Sequence, residues 1–148
     1  MSLRYDIIDL SYRSQSLISE SLMITQGDEA MLLIEYPKCT TCQKAKKWLD
    51  ENSFEYDDRH IKENNPTYEE LKNWYQKSGL PLKRFFNTSG MLYKSLSLKE
   101  KLQEMTEEEQ LRLLATDGML VKRPLVIDGD TVLIGFKQSE WESVLIKD

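Results

Sequence analysis

The chain has 148 residues, 20 basic against 25 acidic, for a formal net charge of −5. Its length suits one domain with a substantial core, and its acidity argues against a surface built for direct nucleic-acid binding. Two cysteines three positions apart exclude a secreted disulfide framework. No apolar run approaches the roughly 20 residues that span a bilayer, and no basic–apolar leader pattern is present. The expectation is a cytoplasmic protein without membrane attachment, in a compartment that keeps thiols reduced.

Residues 1–30 differ from the rest. Ile7–Tyr12 suits a short strand and Ser14–Met23 a short helix, after which Gln26-Gly27-Asp28-Glu29 breaks the pattern. Met31 could itself open the natural chain, so this stretch reads either as an N-terminal arm or as a leader outside the native protein.

Met31-Leu32-Leu33-Ile34-Glu35 is a short apolar run that predicts a buried strand. Tyr36-Pro37-Lys38-Cys39-Thr40-Thr41-Cys42 follows. Ala45, Trp48 and Leu49 then repeat at i, i+3, i+4, which predicts a helix over Thr40–Asn52. Cys39 thus stands where a strand hands over to a helix, and Cys42 lies in the helix's first turn. Unpaired backbone N–H groups, the positive end of the helix dipole and the Lys38 charge all favour a Cys39 thiolate. Cys42, one turn on, is placed to attack a mixed disulfide formed on Cys39. A strand–C-x-x-C–helix unit points to redox chemistry. Two other readings remain open: buried cysteines that merely pack, and a zinc site, for which only Cys39, Cys42 and His60 offer soft or imidazole donors. A phosphatase-type cysteine loop needs an arginine where Ala45 stands, so that reading is dropped.

Phe54–Ile61 predicts a second strand, polar enough to lie at an edge, and a strand–helix–strand unit of this length implies parallel pairing through a right-handed crossover. Thr67 with Glu70 forms a capping box. Leu71, Trp74, Tyr75 and Ser78 mark that helix's inner face, and Gly79 ends it. A helical turn over Pro81–Phe86 and a polar loop, Asn87-Thr88-Ser89-Gly90, come next. Leu98, Leu102 and Met105 predict one further helix, and Thr106 with Glu109 a second capping box, opening a helix through Ala115. Leu125–Ile127 and Thr131–Ile134 predict strands joined by a turn at Asp128-Gly129-Asp130, before a last helix with Trp141, Val144 and Leu145 inside. The fold class is α/β: βαβ, a helical insertion over about 66–118 of a 31–148 domain, then ββα, closing a mixed sheet of about four strands. Trp48, Trp74 and Trp141 fit core faces, and His60 fits the surface, away from the cysteine turn.

With the Pro37-x-Cys39-x-x-Cys42 turn, Gly79-Leu80-Pro81 leading to Arg84, Arg123-Pro124-Leu125 and Gly135-Phe136-Lys137 in view, the chain from about Met31 to Ile146 resembles the arsenate reductase (ArsC)/Spx family. The resemblance implies a thioredoxin-like fold with a cis Pro124 beside the cysteine loop, and a nucleophilic Cys39 resolved by Cys42. It implies an oxyanion held by Arg84, Arg123 and Lys137, the last standing where the reductases carry arginine; lysine keeps the charge and loses the bidentate fork, and Lys38 beside the nucleophile is expected to add a further anion-binding charge. Reductants would be glutathione with glutaredoxin, or thioredoxin, with no bound cofactor and no metal. Cys42 is shared with the Spx regulators, while Leu82–Leu98 looks more like the enzyme-like branch. The resemblance thus allows a thiol-dependent reductase of an oxyanion or disulfide, or a redox-sensing regulator that binds RNA polymerase.

Overall fold

A computed structural model describes residues 30–146. The arm expected at the N-terminus, with its strand over Ile7–Tyr12 and helix over Ser14–Met23, lies outside the described residues. Strand β1 (Met31–Glu35) leads into α1 (Thr40–Glu51) and β2 (Tyr56–His60). Between β2 and the next strand every element is helical: α2 (Tyr68–Ser78), a 3-10 turn (Leu82–Phe85), α3 (Met91–Ser95), α4 (Leu98–Lys101), a second 3-10 turn (Leu102–Glu104), α5 (Glu107–Leu114) and a third (Gly118–Leu120). Strands β3 (Leu125–Asp128) and β4 (Thr131–Ile134) and helix α6 (Gln138–Leu145) complete the domain.

The sheet order is β2-β1-β3-β4. β1 pairs parallel with β2 and antiparallel with β3, and β3 pairs antiparallel with β4. This is the expected βαβ–helical–ββα arrangement, with polar β2 at an edge as its composition predicted. Register sorts the side chains. Leu33, Val126 and Leu133 stand opposite one another and pack on Ala45, Trp48 and Leu49 of α1 and Trp141 of α6. Ile34, Leu125 and Ile134 form the next row and face Leu71, Trp74, Phe85 and Leu114 of the helical stretch. The sheet is therefore covered on both sides, and Trp48, Trp74 and Trp141 are all core residues.

Both capping boxes are present. The side chains of Thr67 and Thr106 accept from the backbones of Glu70 and Glu109, whose carboxylates accept in return. Gly79 closes α2 in the left-handed conformation. Elsewhere the structure departs from expectation. Leu98–Met105 is not one helix: four α-helical residues tighten into a 3-10 turn at Leu102, and Ser97 enters them at φ 56°. α3 has too few residues to show a period, and its first, Met91, is 88% exposed.

At Gly118 the helical stretch passes close against Ile61, the residue that follows β2. A Cβ there would lie 1.8 Å from the Ile61 carbonyl oxygen, backbone against backbone. Gly118→Ala should cost about 3 kcal/mol, the upper end for overpacking. Gly129→Ala, where φ is +61° but space is open, should cost roughly 1 kcal/mol. Urea midpoints of the two variants check this order.

Candidate functional site

β1 ends at the sheet's upper rim, and Tyr36–Cys39 turns back sharply, the Cys39 backbone N–H donating to the Tyr36 carbonyl at 3.0 Å. Gln43 braces the turn from α1, its amide donating to the Pro37 carbonyl at 2.8 Å. Cys39 is the N-cap of α1, and its Sγ accepts from the Cys42 backbone N–H at 3.4 Å. A sulfur thus takes the place usually held by a serine, threonine or aspartate oxygen.

The two thiols differ. Cys39 is partly exposed, whereas Cys42 is fully buried. Burial opposes ionisation of Cys39, but the Cys42 backbone N–H, the Cys42 thiol and the Arg123 guanidinium together outweigh it and hold its pKa below the ordinary value. Burial pushes Cys42 up to about 12, the neighbouring Cys39 adding to the rise. One thiol is therefore poised to ionise first and the other to keep its proton.

A cleft of about 560 Å³ opens over Cys39. Arg84, Arg123 and Lys137, drawn from the first 3-10 turn, the segment before β3 and the N-cap of α6, all line it. Lys122 lines it too and was not singled out from sequence, although it stands next to Arg123; so do Asn87 and Ser89 of the polar loop. Glu140 is its one carboxylate among the described residues. Lys38 is exposed and lies outside the lining, as does Pro37. The Arg123–Pro124 peptide is cis, and buried Pro124 accepts a hydrogen bond from the Gly135 N–H at 2.8 Å, tying the two cleft-lining segments together.

Arg123 lies 4.9 Å above the Tyr36 ring. Its Nε and Nη1 are buried without a hydrogen-bond partner among the described residues. His60, expected on the surface, is half-buried and sits edge-on to the other side of this network, 5.7 Å from Tyr36. Its Nδ1 accepts from the backbones of Lys62 and Glu63, which makes it a turn-forming residue. Among the described residues no group of three or more His, Cys, Asp or Glu is arranged to hold a metal ion. No helix among them is long and apolar enough to cross a membrane.

Beneath the turn lies a second charged group that sequence reasoning missed. Glu35, at the end of β1, is 3% exposed. It lies 3.5 Å from Lys46 of α1, which in turn is 2.8 Å from Asp58 of β2. Burial first, then the hydrogen bond and charge of Asp58, push the Glu35 carboxyl up to about 7. Burial opposes ionisation of Asp58 as well, but hydrogen bonds from Glu35 and Lys46 hold it below its ordinary value. Of the two carboxyls Glu35 is the one that takes up a proton more readily, with Lys46 as counter-charge to both. Glu35 alternates in register with core residues, so only its tertiary partners disclose it.

The sequence pattern that defines the ArsC family matches residues 34–144. YusI of Bacillus subtilis is 62% identical over 72% of this chain and 91% of its own length. The regulatory protein MgsR of the same organism is 32% identical over 76% of this chain and 88% of its own. The solved structure of an ArsC family related protein from Bacteroides fragilis is 61% identical, with a TM-score of 0.75 over 78% of this chain and 97% of that one. Further matches include proteins described as Spx transcriptional regulators and as arsenate reductases. The chain belongs to the ArsC family.

Two outcomes follow from the electrostatics. Alkylation of the native protein by iodoacetamide should modify Cys39 alone, with a midpoint below the ~8.5 of a free thiol, and Arg123→Met should move that midpoint upward. The proton on Glu35 belongs to the folded state. Its contribution is complete below the ordinary carboxyl value and is lost as pH rises through about 7. Between pH 5.5 and 8 the chain should lose about 1 kcal/mol relative to Glu35→Gln, since screening through solvent-accessible Lys46 and Asp58 reduces the roughly 2 kcal/mol that the shift implies across this window, as read from denaturation midpoints.

Proposed function

We propose that this ArsC family member is a thiol-dependent oxidoreductase, with Cys39 as nucleophile and Cys42 as resolving thiol, acting on an oxyanion such as arsenate or on a disulfide. The observation that carries this reading is the asymmetry of the two thiols in a cationic cleft. Cys39 is accessible with a lowered pKa, and Cys42 is buried one turn away with its pKa raised to about 12. Arg84, Arg123 and Lys137 neutralise the incoming anion and the charge that develops on it.

In the first step the Cys39 thiolate forms a bond to arsenic, with loss of water, or to one sulfur of a disulfide, with loss of the other as thiolate. In the second, Cys42 gives up its proton and attacks Cys39 Sγ. The bond from Cys39 to the substrate atom breaks, its electron pair leaving with arsenic, now arsenite, or with the second thiol. The protein is left with a Cys39–Cys42 disulfide, which thioredoxin or glutathione with glutaredoxin reduces by exchange. Because Cys42 is buried beneath Cys39, it serves the adduct on Cys39 and not solvent reagents.

A second reading draws on the likeness to MgsR and Spx. Those relatives are described as a regulatory protein and a global transcriptional regulator; in this reading the Cys39–Cys42 disulfide would be a switch and RNA polymerase the partner. A switch has no need of a substrate cleft, so the cationic cleft over Cys39 favours the enzymatic reading. NADPH consumption coupled separately to thioredoxin and to glutaredoxin with glutathione tests it, with arsenate and a small disulfide as substrates. Turnover should vanish in Cys39→Ser. Cys42→Ser should accumulate a covalent adduct on Cys39, with thioredoxin-coupled turnover falling by at least about a hundredfold. A reduced wild-type protein that turns over neither substrate would sink the enzymatic reading.

A further inference from the structure

The loop Asn87–Gly90 forms an outer rim of the cleft. Asn87, Ser89 and Gly90 line the cleft over Cys39, whereas Thr88 between them lines two further cavities, of about 360 and 280 Å³. Another cavity, of about 410 Å³, shares Lys83 with the first of these and Tyr93 and Lys99 with the second. A chain of hollows therefore runs from the rim across α3 and α4, outside the cleft itself.

This face has features that the chain's own packing leaves unused. Three large apolar side chains are exposed among the described residues, and two of them bracket α3: Met91 at 88% and Leu96 at 37%. Met91 follows Gly90, so it stands at the cleft's mouth. Lys83, Lys94 and Lys99 line the hollows. Among the described residues none of these three lysines has an ion-pair partner. Residues 82–101 carry five basic side chains against one acidic, in a chain whose formal charge is −5. An uncovered methionine ringed by unpaired lysines suits an interface, where Met is enriched and fits its shape to a partner.

The chemistry at Cys39 selects the partner, given the function proposed above. Once Cys39 and Cys42 are joined, a reductant has access through Cys39, because Cys42 is fully buried. A protein that brings a thiol to Cys39 covers the cleft's mouth, and the Asn87–Gly90 rim with α3 then lies beneath it. Transient redox encounters bury less than about 1,200 Å² in total, so the contact need extend no further than this rim and the two short helices behind it.

We propose that Met91, Leu96, Lys83, Lys94 and Lys99 form the docking surface for an acidic dithiol protein that reduces the Cys39–Cys42 disulfide. The apolar border of the partner's cysteine seats on Met91 and Leu96, and its carboxylates face the three lysines. One thiolate of the partner attacks Cys39 Sγ. A bond forms between the two proteins, the Cys39–Cys42 bond breaks, and Cys42 leaves with the electron pair and takes up a proton. The partner's second thiol loses its proton and attacks the first sulfur, which releases Cys39 as thiolate. Two electrons pass from the partner, now a disulfide, to this chain.

The test follows reduction of the oxidised full-length protein by two donors. One is an acidic thioredoxin, kept reduced by its reductase and NADPH; the other is dithiothreitol, too small to use the surface. Lys94→Glu combined with Lys99→Glu should slow the thioredoxin reaction at least about tenfold, and Met91→Ser about threefold. Dithiothreitol should reduce both variants as fast as the wild type, and Lys94→Arg should keep the thioredoxin rate. The ratio of wild-type to double-variant rates should shrink as NaCl rises from about 0.05 to 0.3 M. A ratio near one at both salt concentrations, or reduction by dithiothreitol alone, would overturn the docking surface and leave the oxidoreductase intact. If oxidation forms no Cys39–Cys42 disulfide, or neither donor reduces it, the oxidoreductase reading falls and the surface with it.

Discussion

A backbone N–H of α1 pointing at Cys39 Sγ across 3.4 Å joins secondary structure to chemistry at this site. The N-cap position leaves helix N–H groups without carbonyl partners, and a thiolate is a better acceptor for them than a thiol. Helix formation and thiolate formation therefore favour one another. The constraint reaches backward as well. The cap requires extended backbone at Cys39, φ −91° and ψ 121°, which the turn from Tyr36 delivers because β1 is locked between β2 and β3.

The cleft owes its charge to topology. Arg123 immediately precedes β3, Lys137 follows β4, and both ends meet where Gly135 donates to the Pro124 carbonyl. Arg84 arrives from the opposite direction, on a 3-10 turn whose Phe85 and Phe86 are buried in the core beneath the helical stretch. One layer of the domain thus supplies the nucleophile and the other closes the cleft over it. Tyr36 ties them, since it belongs to the nucleophile's turn yet lies under the Arg123 guanidinium.

What sequence disclosed and what it hid separate along physical lines. Local rules wrote the capping boxes of Thr67 and Thr106, the left-handed stop at Gly79, the Cys39 turn and the β3–β4 hairpin, because each is settled within a few residues. The parallel pairing of β1 with β2 followed from crossover length and the edge position of β2 from its polarity, whereas the antiparallel docking of β3 on β1 was not legible. The break between α4 and its 3-10 continuation was hidden, since Leu98, Leu102 and Met105 keep a helical spacing that the core reads in two pieces. The partners of Glu35 on α1 and β2, the approach of Gly118 to Ile61 and the convergence of Lys122 on Arg84 all join positions distant in the chain. Lys122 carried a weak signal, adjacency to Arg123 in Lys122-Arg123-Pro124. The half-buried seat of His60 against Tyr36 carried none, because its neighbours Asp57, Asp58 and Arg59 read as a solvated strand end.

Cations gathered around one cavity repel one another, and the guanidinium of Arg123 loses hydration at Nε and Nη1 without recovering hydrogen bonds among the described residues. Such an arrangement destabilises the empty protein, and a sequence with 25 acidic residues had ample means to neutralise it. Instead the acidic side chains go elsewhere: Asp58 to Lys46, Glu70 to Arg59, Glu108 to Arg112. Under the proposed function, anionic groups entering the cleft would relieve that strain beside Cys39. The same anions that the cleft draws in would raise the pKa of Cys39 if they stood alone. Arg123 lowers the pKa of Cys39 and lines the cleft an anion would enter, so one side chain meets both requirements.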